Sequence, residues 1–200
     1  MIVATVYIRS AIKLREFVRG IDGPLANARL KIQLRQQQKF RCKHFKKILK
    51  KMENKEMLAI INHIFSSIEK LIPTYLEIDE DKNISNGNLA VCIIDENQNV
   101  YGKMFGTNQP SLRNSYKLAW TKASQVWLTG VKTGEYERMV FTKEVDENAN
   151  GILAPDLIGW EGGQPLVMKN GKKLSAGFSG FRGTTDLEIM VKALALAEQY

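Results

Sequence analysis

The chain has 200 residues, 44% of them apolar, and a formal net charge of +8, which suits one domain built around a core, with an extension. No run of about 18 apolar residues occurs, and Arg9 interrupts the start, MIVATVYIRS, where a signal peptide would stay apolar. Membrane-spanning and exported classes are therefore set aside, and a cytoplasmic location is expected.

The charge is unevenly spread: residues 1–51 hold 14 Lys+Arg against 2 acids, a net +12, whereas residues 52–200 hold 15 against 19, a net −4. Residues 1–51 read as a basic N-terminal extension in which RLKIQLRQQQKFRCKHFKKILKK predicts a helix. A nucleic-acid arm, a helix lying on anionic lipid and a transit-peptide-like leader all suit it. A true translation start near Met52, with residues 1–51 an upstream addition, suits it as well. Residues 52–200 read as a self-contained domain.

From Met57, apolar residues at Ile60/Ile61, Ile64/Phe65, Ile68 and Leu71/Ile72 recur at helical spacing, and Pro73 is expected to end that helix. TYLEIDEDKNISNGN follows as an acidic, turn-rich segment. LAVCII is too short and too β-branched for a helix, so it predicts a strand, and NVYGKMF returns from DENQN as its hairpin partner. Cys42 lies among lysines and Cys92 within LAVCII; they form no CxxC, so no disulfide is expected and Cys92 reads as a buried free thiol. Pro110-Ser111 open the next helix, whose stripe Leu112, Tyr116, Ala119/Trp120, Ala123, Val126/Trp127 is expected to be its buried face. GVKTGEYERMVF admits one more strand. The loop TKEVDENANGILAPDLIGWEGG carries enough apolar residues (Ile152, Leu153, Leu157, Ile158, Trp160) to pack down.

PLVMK and KKLSAGFSG flank Asn170-Gly171, a hairpin signal in which both turn residues are expected at positive φ. Thr185-x-x-Glu188 matches a capping box, opening a last helix with Leu187, Met190/Val191 and Leu194 on one face. Hairpins join antiparallel neighbours directly, so the order predicts an α+β domain with a mostly antiparallel sheet.

VCIIDENQNVYGKM, SYKLAWTKASQ, GGQPL and GKKLSAGFSGFRGTTDLEIMVKALALA, taken in this order, resemble the GlcG/HbpS-like family, which also occurs as the C-terminal domain of PduO-type adenosyltransferases. The resemblance runs from about Met52 to Glu198. It implies a profilin-like, three-layer α/β/α fold with a five-stranded sheet, a homo-oligomer, and haem or a related tetrapyrrole as a possible cofactor. Two departures stand out. Asp95-Glu96-Asn97-Gln98 replaces the family's Asp-x-Gly-Gly, and Lys103-Met104-Phe105-Gly106 replaces Arg-Met-Asp-Gly, with loss of its acid.

A haem iron needs His, Cys, Met or Tyr. His63, at the border of a buried stripe, is the candidate ligand, with Met104, Met168 and Tyr101 as alternatives; His44 belongs to the extension. Gly162-Gly163 before Gln164 would present backbone N–H groups to a carboxylate, with Lys103, Arg113 and Arg182 as countercharge. The alternative is that these glycines relieve crowding where a strand meets a helix or a second subunit.

GKKLS has Lys173 where a phosphate loop needs Ser or Thr, GFSGF lacks the spacing of a nucleophile elbow, and no metal-ligand cluster is visible. The sequence thus favours a binding domain for haem, another tetrapyrrole or a small carboxylate. An enzyme acting on haem or a small oxidised metabolite, and an oligomeric scaffold, are the alternatives. Nucleic acid enters as a partner only through the basic residues 1–51.

Overall fold

The computed structural model of the chain describes residues 28–199, so the first 27 residues of the basic extension lie outside the described residues. Contacts divide the chain into two compact units, Met1–Met57 and Leu58–Tyr200. Helix α1 spans Ala28–Tyr75. Pro73 does not end it: the proline sits inside its last turn, where the one hydrogen bond it forfeits is a small loss, and the Leu76 N–H still reaches the Ile72 carbonyl at 3.0 Å. None of the helices among the described residues is long and apolar enough to cross a membrane.

The acidic segment after α1 is a helix rather than a run of turns. In α2, Asp79–Ser85, Asp79, Glu80 and Asp81 occupy the first turn, where the exposed N–H groups favour negative charge. Asn86 closes it in the left-handed region at φ 42°.

The sheet contains β1 Leu89–Asp95, β2 Val100–Phe105, β3 Gly163–Val167 and β4 Lys173–Ser179. Its order is β2-β1-β4-β3, with every pairing antiparallel. Both expected hairpins are present. The five-stranded sheet is corrected to four strands among the described residues, because the expected extra strand is helix α4, Thr133–Phe141. The preceding helix α3, Gln109–Thr129, stops at Gly130 in the left-handed region, and the chain re-enters helix within three residues.

Both hairpins close in the same way. Asp95 N–H donates to Asn99 O while Gln98 N–H donates to Asp95 O; Met168 N–H donates to Lys172 O while Gly171 N–H donates to Met168 O. Only the third loop residue has positive φ, Gln98 at 67° and Gly171 at 82°. The two-residue Asn-Gly turn expected from the sequence is thus a three-residue connection.

All seven residues of β1 are buried, so helices cover both faces of the sheet. On one face, Ala90, Cys92 and Ile94 pack against Ala119, Ala123 and Tyr116 of α3. Strand register explains how a helix comes so near. Gly102 pairs with Cys92, Cys92 with Gly177 and Gly177 with Gly163, giving a row of minimal side chains across all four strands. A Cβ added to Gly102 would lie 2.5 Å from the Tyr116 ring, and one added to Gly177 would overlap the Ala119 carbonyl and approach the Ala123 nitrogen to 2.6 Å.

The opposite face carries Val91, Ile93, Ala176 and Phe178. Phe178 stacks on Phe181, which in turn meets Tyr75 of α1, each pair with centroids 5.9 Å apart. Helix α5, Gly183–Ala197, covers β3 and β4 from the same side.

Two substitutions separate crowding from backbone conformation. Gly177→Ala forces backbone against backbone and is expected to cost about 3 kcal/mol of stability in urea unfolding. Gly171→Ala has open space around it and is expected to lose only about 1 kcal/mol, from its positive φ.

Candidate functional site

The glycines of the GGQPL stretch lie against the chain's own interior. Gly162, at φ 115°, faces Lys122 and Asp186: an added Cβ would sit 2.6 Å from Lys122 Nζ and 2.8 Å from Asp186 Oδ2. Gly163 donates its N–H to Thr133 Oγ1 at 3.3 Å, and Gln164 Nε2 donates to Leu187 O at 2.6 Å. The close approach signalled by these glycines is made by α3, α4 and α5.

The ion pair beneath Gly162 crosses between layers. Lys122 Nζ, from α3, lies 3.0 Å from Asp186 Oδ2 and donates to Phe178 O at 2.9 Å, with both side chains almost fully buried. Asp186 Oδ1 accepts the Phe181 N–H at 3.0 Å. Burial pushes the Asp186 carboxyl up, to about 7, against the opposing pull of Lys122 and the Phe181 N–H.

The other predicted residues are dispersed. Lys103 lies on β2, at the sheet edge opposite to β3, so three strand spacings of about 4.8 Å separate its strand from Gly163 and Gln164. Its ammonium is 2.6 Å from Glu69 Oε2 and 5.1 Å from the centre of the Phe105 ring. His63 is exposed on α1. Of the alternatives, Met168 is buried in the core, Met104 is exposed on β2, and Tyr101 donates its hydroxyl to Asp95 Oδ2 at 3.0 Å.

Arg182 is not spare countercharge either. Its N–H and Nε bond Asp81 Oδ1 at 2.9 and 3.0 Å, Nη2 reaches Asp81 Oδ2 at 3.0 Å and Nη1 reaches Glu80 at 2.7 Å. Thr185 Oγ1 donates to the same Asp81 Oδ2 at 2.9 Å, so the expected Thr185–Glu188 capping box does not form and Glu188 pairs with Lys192 instead. Burial would raise the Asp81 carboxyl, but the bonds from Arg182 and Thr185 outweigh it and hold Asp81 below the usual carboxylate range.

Arg113 is exposed on α3, as His63 is on α1, and the two stand on different helices. Arg113, Lys117, Trp120, Ser124 and Leu128 follow one another at three- and four-residue spacing on α3, flanked by Thr121. Trp120 and Trp127, expected in the core, are 43% and 44% exposed. The face turned to the sheet is instead Ala119, Lys122, Ala123 and Val126, because the glycine row accepts only small side chains or a lysine that reaches past it. Among the described residues, neither Arg113 nor Lys117 is ion-paired.

A groove of about 210 Å³ lies beside this face. Trp120, Thr121, Ser124 and Leu128 form one wall, and Gly151, Ile152 and Asp156 of the long loop form the other. Sequence reasoning missed Trp120, Thr121, Ser124 and Asp156 as site residues. The polar residues at 113, 117, 121 and 124 were the available signal, since a run of them at helical spacing marks an outer face.

These features define an α+β domain with a four-stranded antiparallel sheet between helices and an amphipathic groove on its outer helix. No family model matches the chain, and no curated protein matches it. Solved structures do. Klebsiella pneumoniae protein ORFY, 16% identical, shares the fold over 72% of this chain and 90% of that protein, at a TM-score of 0.51. An HbpS double mutant from Streptomyces reticuli matches at 19% identity over 66% of this chain and 84% of its own, with a TM-score of 0.44. The PduOC–haem complex matches at 20% identity over 66% of this chain and 92% of its own, with a TM-score of 0.45. These neighbours carry the names of the GlcG/HbpS-like group that the sequence motifs resemble.

Asp81 and Asp186 give measurable expectations. Lys122→Ala strands Asp186 without its partner and is expected to cost about 3–5 kcal/mol in urea unfolding, whereas Lys122→Met combined with Asp186→Leu should recover most of the loss. For Asp81, a depressed folded pKa means that its stabilisation is present above the unfolded value near 4 and is lost as pH falls through the folded value. Asp81→Asn should therefore be less stable than the parent at pH 7, with the difference in melting temperature shrinking below about pH 4.

Proposed function

We propose that residues 58–200 form a GlcG/HbpS-like binding domain whose ligand is a flat, largely apolar molecule with carboxylate groups, of the tetrapyrrole class, held along the outer face of α3. The observation that carries this reading is the arrangement on one helix: two cations without ion-pair partners among the described residues, then an exposed indole, then a groove with hydroxyls. Guanidinium and ammonium groups bind carboxylates through charge-assisted hydrogen bonds, and an indole face stacks on a flat π-system. The groove is smaller than the 300–1,000 Å³ usual for enclosed sites, so the ligand would lie partly open to solvent.

Iron ligation does not fit this face. Its exposed residues include no His, Cys, Met or Tyr, and Tyr116, the one tyrosine of α3, turns inward over Gly102. The residues suit the carboxylates and the ring of a tetrapyrrole and supply no axial ligand, so the metal-free porphyrin is expected to bind as well as the iron form.

Titrating hemin and metal-free protoporphyrin IX into the full chain, followed by absorbance and tryptophan fluorescence, tests the proposal. Saturable binding of both is expected at micromolar protein, weakened about tenfold or more in Arg113→Ala/Lys117→Ala and unchanged in His63→Ala. Absence of a Soret shift, or equal affinity in the double variant, would remove the reading. A loss of hemin binding alone in His63→Ala would move the ligand to α1.

A further inference from the structure

The N-terminal half of α1 presents a surface of a different kind. Between Ala28 and Lys51 the sequence has ten Lys+Arg and no Asp or Glu, yet this stretch is helical. Each helical residue turns the chain by about 100°, so positions two apart lie on opposite sides while positions three or four apart share one. Lys39, Lys43, Lys47 and Lys50 form one row, all exposed; Arg41, Phe45, Ile48 and Met52 form the opposite row. Ile48 is 39% and Met52 53% exposed, and Phe45 is half-buried. Lysines four apart repel one another, and among the described residues this row has no ion-pair partner.

The charge calls for a polyanion, and the second row selects among polyanions. A nucleic-acid backbone would take the lysines and leave the exposed Ile48 and Met52 in water. An anionic bilayer takes both: apolar side chains enter the boundary of the acyl region while lysines extend their stems towards the headgroup phosphates. We propose that residues 36–52 form an amphipathic anchor that lies along the surface of a bilayer containing anionic phospholipid.

Co-sedimentation of the full chain with vesicles tests this anchor. Vesicles of phosphatidylcholine with phosphatidylserine are expected to retain the protein, and phosphatidylcholine alone is not. Lys43→Gln/Lys47→Gln/Lys50→Gln should weaken retention on the order of a hundredfold, about fivefold per lysine. Ile48→Ser/Met52→Ser, which leaves the charge unchanged, should weaken it about tenfold or more. Far-UV circular dichroism on each variant separates a lost surface from a lost helix, and Arg113→Ala/Lys117→Ala should leave retention unchanged, which keeps this test apart from that of the α3 groove. Three outcomes would overturn the proposal: no retention on anionic vesicles, equal retention on neutral ones, or tighter binding to duplex DNA that responds to the lysine variant and ignores the apolar one.

Discussion

The approach of α3 to the sheet depends on a row of positions that have almost no side chain. Gly102, Cys92, Gly177 and Gly163 line up across four strands, and Ala119 and Ala123 of the helix meet them. Small residues on both surfaces bring backbone within contact distance of backbone, so the helix can neither slide nor rotate without overlap. The rotation fixed in this way decides which α3 residues reach solvent. It buries Lys122 and leaves Arg113, Lys117, Trp120 and Trp127 outside. The proposed ligand face is thus a consequence of a packing constraint on the other side of the same helix.

A second set of contacts fixes the start of α5. Two buried carboxylates meet there from different layers: Asp81 of α2 binds the Arg182 backbone and side chain and the Thr185 hydroxyl, while Asp186 binds Lys122 of α3. Each aspartate satisfies several donors, which is what makes a buried carboxylate tolerable. Their environments push them in opposite directions, Asp81 down and Asp186 up. The chain therefore spends its most polar interior groups on aligning three helices.

Much of this fold was legible in the sequence because the signals are local. LAVCII, the two hairpin turns and the start of α3 at Pro110 each declare themselves within a few residues. The failures are those of non-local arrangement. EYERMVF carries strand-prone Tyr, Val and Phe, yet follows a helix terminator closely and becomes α4. Thr185 and Glu188 have capping-box spacing, but tertiary partners Asp81 and Lys192 take both side chains. The glycine-rich stretches admit both an approach to a guest and relief of crowding against a helix, and no inspection of one strand can reveal that Gly102, Gly177 and Gly163 share a row, since that depends on register. Trp120 and Trp127 fall on the apolar stripe expected to be buried, although an interior lined by glycine has no room for an indole.

The two edges of the sheet are unlike. On β3, Pro165 interrupts the outer rim with a residue that has no N–H to offer, whereas β2 ends the sheet with the proline-free run Val100–Phe105, half of it open to solvent. A strand from another molecule would meet a gap on the first side and an almost complete ladder of donors and acceptors on the second. Among the described residues β2 is therefore the edge open to strand addition, and Lys103, held to Glu69, places a charge on that side.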